Sequence, residues 1–416
     1  MATVVLVGTL DTKGIEYDYL RSRVQAEGCS VILIDAGVLN TPLTQADITR
    51  ETVAQAAGVE LADLVAKGDR GAAVETMARG AASIVQRLYT EGRLNGILGL
   101  GGSGGSSIAS QAMKTLPVGV PKLIVSTLAS GDTRPYVGST DITMMYSVVD
   151  IAGINRLSER ILSNAAAAIA GMARANASFQ PSADTRPLVG ATMFGVTTPC
   201  VTEARKRMEE HGYEVLVFHA TGTGGQSMET LVNGGFLNGV LDITTTELAD
   251  ELVGGVLSAG PDRLEAAGKK GVPQVVSLGA LDMVNFGPME TVPEKFRHRN
   301  LYKHNPTVTL MRTTPEECAQ LGKIIAQKLN MATGPVSLFV PLKGFSMIDT
   351  EGQPFYDPVA DRMLIDNLTR ELNDTVEVRE LDMDINDPRF AHAMVDRLLE
   401  YIEARSSHPS NPGGSR

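Results

Sequence analysis

Residues 99–106 read Gly-Leu-Gly-Gly-Ser-Gly-Gly-Ser, with five glycines in the first seven positions. A short apolar run, Ile97-Leu98, precedes them, and a helix-like stretch begins near Ile108. A strand that turns through glycines into a helix leaves backbone N–H groups unpaired at the helix N-terminus. Those donors and the positive end of the helix dipole attract anions, phosphate above all. Gly101, Gly102, Gly104 and Gly105 permit close approach of a phosphate to the backbone, and Ser103 and Ser106 add hydroxyl donors. The alternative is a tight turn that binds nothing.

Other polar groups follow apolar runs in the first half. Gly8-Thr9-Leu10-Asp11-Thr12-Lys13-Gly14 offers two hydroxyls, a carboxylate and an amine. Lys13 could neutralise a phosphate, and Asp11 could hold a metal directly or through water. The glycine-to-lysine spacing is not that of a Walker A loop. Asp35, in Asp35-Ala36-Gly37, could hold ribose hydroxyls or cap a turn. Ser126 and Thr127 begin a further hydroxyl-rich turn. The convergence of these four segments points to a nucleotide site.

The second half has its own candidates. His219 precedes Thr221-Gly222-Thr223-Gly224-Gly225 and could act as acid or base, or be a buried, hydrogen-bonded histidine. Asp242, Thr244, Thr245, Thr246 and Glu247 suit a substrate or hydrated magnesium, although Thr244 and Glu247 also have capping-box spacing. Asp282, and Lys343 with Ser346, could complete a cleft, Lys343 taking a substrate anion. Arg297, His298, Arg299, Lys303 and His304 form a cationic loop or a solvated face. Zinc-ligand spacings are missing.

The elements that must position these residues alternate. Residues 3–7, 30–34, 96–100 and 122–126 read as buried parallel strands running into Gly, Asp, Ser or Thr. Asp69 can cap a helix over 70–91, and a second helical stretch covers 154–175. Met144-Met145 reads as core. The same order recurs at 188–193, 214–218, 239–243 and 274–278, with further strands at 336–341 and 375–380 and a helix at 390–405. The reading is α/β, two Rossmann-like doubly wound parallel-sheet domains facing an inter-domain cleft. The domains are assigned to 1–180 and 181–405, with a linker at 176–187 and a disordered tail at 406–416.

Bulk composition narrows the function classes. The 416 residues carry 37 Lys+Arg against 48 Asp+Glu, a net charge of −11, which disfavours nucleic acid and anionic membrane as main partners. Aromatic content of 5% without tryptophan disfavours base-stacking platforms. Three scattered cysteines and the lack of a basic apolar leader point to the cytoplasm.

The motifs at residues 8–14, 35–37 and 101–106, with 299–306 and 311–317, resemble the ATP-binding domain family of the tomato mosaic virus resistance protein and its bacterial relatives. The resemblance implies threonine at position 106 in many relatives; serine stands there, so a hydroxyl is retained. The resemblance covers almost the whole chain. It implies two Rossmann-like subdomains, ATP bound by the first, and self-association. It also implies that the C-terminal TIM-barrel domain of the plant protein is lacking here, so that a separate TIM-barrel protein is a candidate partner. The expectation is ATP with Mg2+ at the first domain and an enzyme acting on a small anionic metabolite at the second. His219, Asp242, Glu247 and Lys343 are its candidate catalytic residues. A non-catalytic regulator of a protein partner and a nicotinamide dinucleotide dehydrogenase are the alternatives.

Overall fold

The computed structural model describes residues 1–180 and 186–407. The chain divides into two compact units, Met1–Ala183 and Asp184–Arg416. Within the expected linker, residues 181–185 lie outside the described residues, as do 408–416 of the expected tail. Ser406 and Ser407 belong to the last helix, Pro388–Ser407.

Five parallel strands form the first unit's sheet: β1 (Thr3–Gly8), β2 (Ser30–Asp35), β3 (Gly96–Gly101), β4 (Lys122–Ser126) and β5 (Thr143–Tyr146). Their order is β2-β1-β3-β4-β5. β1 and β3 are buried almost throughout because apolar layers cover both sheet faces. One layer is carried by helices that include Arg70–Thr90 and Ser103–Lys114; the other by Leu10–Ala26 and Arg156–Ala177. The Asp69 carboxylate accepts the Ala72 N–H and starts Arg70–Thr90 where the sequence places it. Asn155 and Ser158 form a capping box for Arg156–Ala177. Met144 and Met145 are half-buried on an edge strand, and each packs against a different face, so they are not central core.

The second unit has six parallel strands: β6 (Leu188–Met193), β7 (Glu214–His219), β8 (Gly239–Thr244), β9 (Gln274–Gly279), then β13 (Val336–Pro341) and β14 (Glu377–Leu381). Between β9 and β13 lies an antiparallel sheet of β10 (Met283–Phe286), β11 (Leu301–Asn305) and β12 (Val308–Arg312). The parallel sheet is ordered β14-β13-β9-β8-β6-β7. In both units the first strand lies between the second and the third, so the chain reverses its direction of travel across the sheet there. Such a switch leaves a crevice at the carboxyl ends of the two central strands.

Candidate functional site

The first unit's switch point is the gap between β1 and β3. These strands pair from Val4↔Gly96 to Val7↔Gly99. Tyr17 then bridges them: its hydroxyl donates to the Val7 carbonyl at 2.5 Å and accepts from the Leu100 N–H at 2.9 Å. Burial raises the Tyr17 pKa far above that of free tyrosine, keeping the hydroxyl neutral. Gly8 leaves room for that ring, since a Cβ there would lie 2.0 Å from the hydroxyl oxygen. Gly8 is therefore a packing residue beneath the site.

Above this bridge is a cavity of about 330 Å³. Its wall comprises Thr9, Asp11, Thr12 and Lys13 after β1, Ala36, Val38 and Leu39 after β2, and Gly101, the last residue of β3, with Gly102 to Gly105. Arg70, Ala73, Val74, Ile108 and Asp150 complete it. The volume falls within the range of small-molecule sites, and the mixture of apolar wall and few polar groups is typical of them.

The helix Ser103–Lys114 begins at this wall, and no side chain caps it at Gly102. Its first residues, Ser103 to Gly105, line the cavity. The glycines differ in their work. Gly101 has φ +154°, and a Cβ there would meet Gly105 Cα at 3.0 Å; one at Gly105 would meet the Leu100 carbonyl at 2.7 Å. At Gly104 the nearest atom is Val74 Cγ2 at 3.8 Å, and at Gly102 it is Thr127 Oγ1 at 3.6 Å. Gly101 and Gly105 shape the turn, whereas Gly102 and Gly104 leave space above it. Ser106 and Ser126 are buried with their hydroxyls 2.8 Å apart, and Ser126 Oγ accepts the Leu128 N–H. They brace β4 against the loop and do not line the cavity; nor does Thr127.

Asp11 is 6% exposed. Its Oδ2 accepts the N–H groups of Leu39 at 2.7 Å and Asn40 at 3.3 Å, while Oδ1 has no hydrogen-bond partner. Gly37 makes way for this carboxylate: a Cβ there would lie 2.6 Å from Oδ1. Lys13 breaks helical geometry within Leu10–Ala26, and its ammonium donates to the Ile151 carbonyl. Asp35, read as a ribose holder or a turn cap, is engaged by backbone N–H groups. It is 1% exposed, and one oxygen accepts the N–H groups of Leu10 and Gly37. Burial raises its pKa, those two N–H groups oppose the rise, and the carboxylate does not line the cavity.

The second unit uses its glycine turn differently. Glu247 is fully buried; its Oε1 accepts the N–H groups of Gly222 at 2.7 Å and Gly225 at 3.0 Å. A Cβ at Gly225 would lie 2.1 Å from Glu247 Oε2, so glycine is needed for the carboxylate to enter. The helix Thr223–Asn233 thus receives the chain's own anion at its N-terminus. Arg263 closes the arrangement. Its Nε donates to Glu247 at 2.7 Å, and its two terminal nitrogens donate to Asp242 at 2.5 and 2.6 Å. Asp242 also accepts from Thr192 Oγ1 at 2.8 Å. Asp242 and Glu247 are brought together as expected, and Arg263 engages both carboxylates. The capping-box alternative gives way, because Thr244 Oγ1 pairs with Thr197 and Thr192.

His219 is exposed at the end of edge strand β7, tilted against Phe194 at 5.6 Å, so it is not a buried core histidine. Lys343 is exposed and pairs with Asp382 at 3.0 Å. Asp282 and Ser346 do meet, Oγ donating to Oδ2 at 2.8 Å. Nearby Arg312 pairs with Asp349 and Asp361, whose pKa values burial raises to about 9 and about 7. In the cationic loop, Arg299 is held by Glu317. Arg70 and Asp150 escaped sequence reasoning. Arg70 read only as a helix start, and Asp150 belongs to a segment without a strand-end signature.

The chain is similar to proteins from distant sources. A UPF0261 protein from Clostridium tetani is 55% identical over 96% of this chain and 99% of its own length. UPF0261 protein RA0729 from Rhizobium meliloti is 49% identical, covering 95% and 98%. The ToMV resistance protein Tm-1(GCR237) of Solanum lycopersicum is 48% identical over 82% of this chain and 46% of its own length. Family models described as the N-terminal and C-terminal domains of uncharacterised protein family UPF0261 match residues 2–178 and 186–402. The expectation of a missing C-terminal domain is corrected to this extent, since the family's own C-terminal domain is present. On both domain matches, the chain belongs to the UPF0261 family.

Proposed function

We propose that the first unit binds ATP with magnesium and that the chain is an ATP-dependent enzyme acting on a small anionic metabolite carried by the second unit. The observation that supports this most is a single cavity in which an uncapped helix N-terminus, an open glycine face and a buried unpartnered carboxylate oxygen meet. The N–H groups of residues 103–105 would take phosphate oxygens. Asp11 would hold magnesium together with those oxygens, and Lys13 and Arg70 would offset phosphate charge. Val38, Val74 and Ile108 give a base an apolar wall. Magnesium bound there would supply charge neutralisation for phosphoryl transfer or ligase-type activation, and the protein's share is positioning. On the second unit, His219 and Lys343 remain exposed and available to a metabolite. Titration calorimetry with ATP tests the binding, and ATP consumption with a metabolite mixture tests turnover.

A second reading takes support from the printed name of the tomato relative, a resistance protein. Here ATP is bound without turnover and the chain restrains a protein partner. Self-association, a separate TIM-barrel partner and a cytoplasmic location belong to both readings. A dinucleotide reading has less support, because Asp35 is already committed to two backbone N–H groups.

A further inference from the structure

The segment between β5 and the helix Arg156–Ala177 carries Asp150 to the wall of the first unit's cavity. It is fixed on both sides of that residue. Buried Ser147 donates to the Val149 carbonyl at 2.7 Å, and the Gly153 N–H donates to buried Glu16 at 2.7 Å. Lys13 holds the Ile151 carbonyl. Val148 sits at φ +64°, a costly conformation for a β-branched residue that the surrounding bonds must enforce. Asp150 Oδ1 accepts the Ile151 N–H at 2.8 Å, which orients the carboxylate. Asp11 brings the second oxygen source, with Oδ1 buried and unpartnered.

We propose that Asp11 and Asp150 jointly hold the divalent cation that accompanies the nucleotide's phosphates, Asp150 being the ligand delivered by the 147–153 segment. This rests on the nucleotide reading. A buried carboxylate oxygen without a partner carries a desolvation penalty that a cation would relieve. Charge supports the pairing: Asp11 and Asp150 cancel Lys13 and Arg70, so the cavity wall offers bare triphosphate no net positive charge. A cation between carboxylates and phosphates removes that repulsion. Among the described residues, no group of three or more His, Cys, Asp or Glu could hold a metal alone. That suits magnesium, which takes one or two carboxylates and completes its shell with phosphates and water.

The test is calorimetric titration of ATP into the full chain and its Asp150→Asn variant, each with magnesium chloride and with EDTA. The wild type should bind ATP more tightly with magnesium. Asp150→Asn should lose about tenfold or more of that affinity, since even outer-shell partners of metal ligands cost this much. With EDTA it should bind ATP at least as well as the wild type, because a negative charge is gone. Asp150→Ala should repeat this pattern, and unchanged melting temperatures would verify the fold. Equal losses in both buffers, or none, overturn the cation role. Wild-type binding that ignores magnesium overturns this inference alone, whereas no ATP binding in either buffer overturns the nucleotide reading as well.

Discussion

Arg263 has no exposed side-chain surface and meets Asp242, Glu247 and, at 3.4 Å, Glu229. Removing one partner from such a set strands a buried charge, which costs roughly 3–5 kcal/mol. Arg263→Ala should therefore lower the unfolding free energy by about that amount in urea titrations. Asp242→Asn should also act mainly on stability; a variant with wild-type stability and abolished turnover would return Asp242 to catalysis. The glycine-serine loop was legible in the sequence because its meaning is local: composition alone announces a turn into a helix. Arg263 was not legible, because it reaches carboxylates 16 and 21 residues earlier in the chain and no local pattern marks it. Tyr17 escaped for a similar reason, since its partner at Leu100 is 83 residues away.

Among elements, the parallel strands were readable because a strand buried on both faces is a short continuous apolar run. The antiparallel β10–β12–β11 sheet was missed. Its strands have only 4 or 5 residues, and β11, Leu-Tyr-Lys-His-Asn, reads as a cationic loop. Asp250 ties this sheet to the helix Glu247–Val253: its Oδ1 accepts the Asn285 and Leu257 N–H groups, and its Oδ2 accepts from Asn285 Nδ2. Burial raises its carboxyl to about 7. The folded state then binds the proton more tightly than the unfolded chain, where aspartate titrates at about 3.9. Its contribution to stability is full below about pH 4 and is lost as pH rises through about 7. Denaturant midpoints should fall across that window, and the fall should be shallower in Asp250→Asn. An equally steep fall in the variant would contradict this role. Asp349 and Asp361 add in the same direction, so the slope should not vanish.

At the scale of the molecule, one plan occurs twice, with the first strand between the second and third in each unit. The chain divides into the units Met1–Ala183 and Asp184–Arg416. Limited proteolysis should part the chain near there into two resistant fragments; early cleavage within residues 3–126 would contradict the division. The repeated plan was legible, but the different fates of its glycine turns were not. In the second unit the turn receives Glu247, and in the first it opens on a cavity. That difference is the reason to place ATP on the first unit, and titration calorimetry of ATP with magnesium tests it most directly. The wild type should bind, and ATP at about 100 times its dissociation constant should stabilise it by roughly 2.7 kcal/mol. Gly104→Val should fold, since the nearest atom to a Cβ there is 3.8 Å away, yet lose that binding by blocking phosphate approach. No heat of binding in the wild type, or equal affinity in Gly104→Val, would contradict the account.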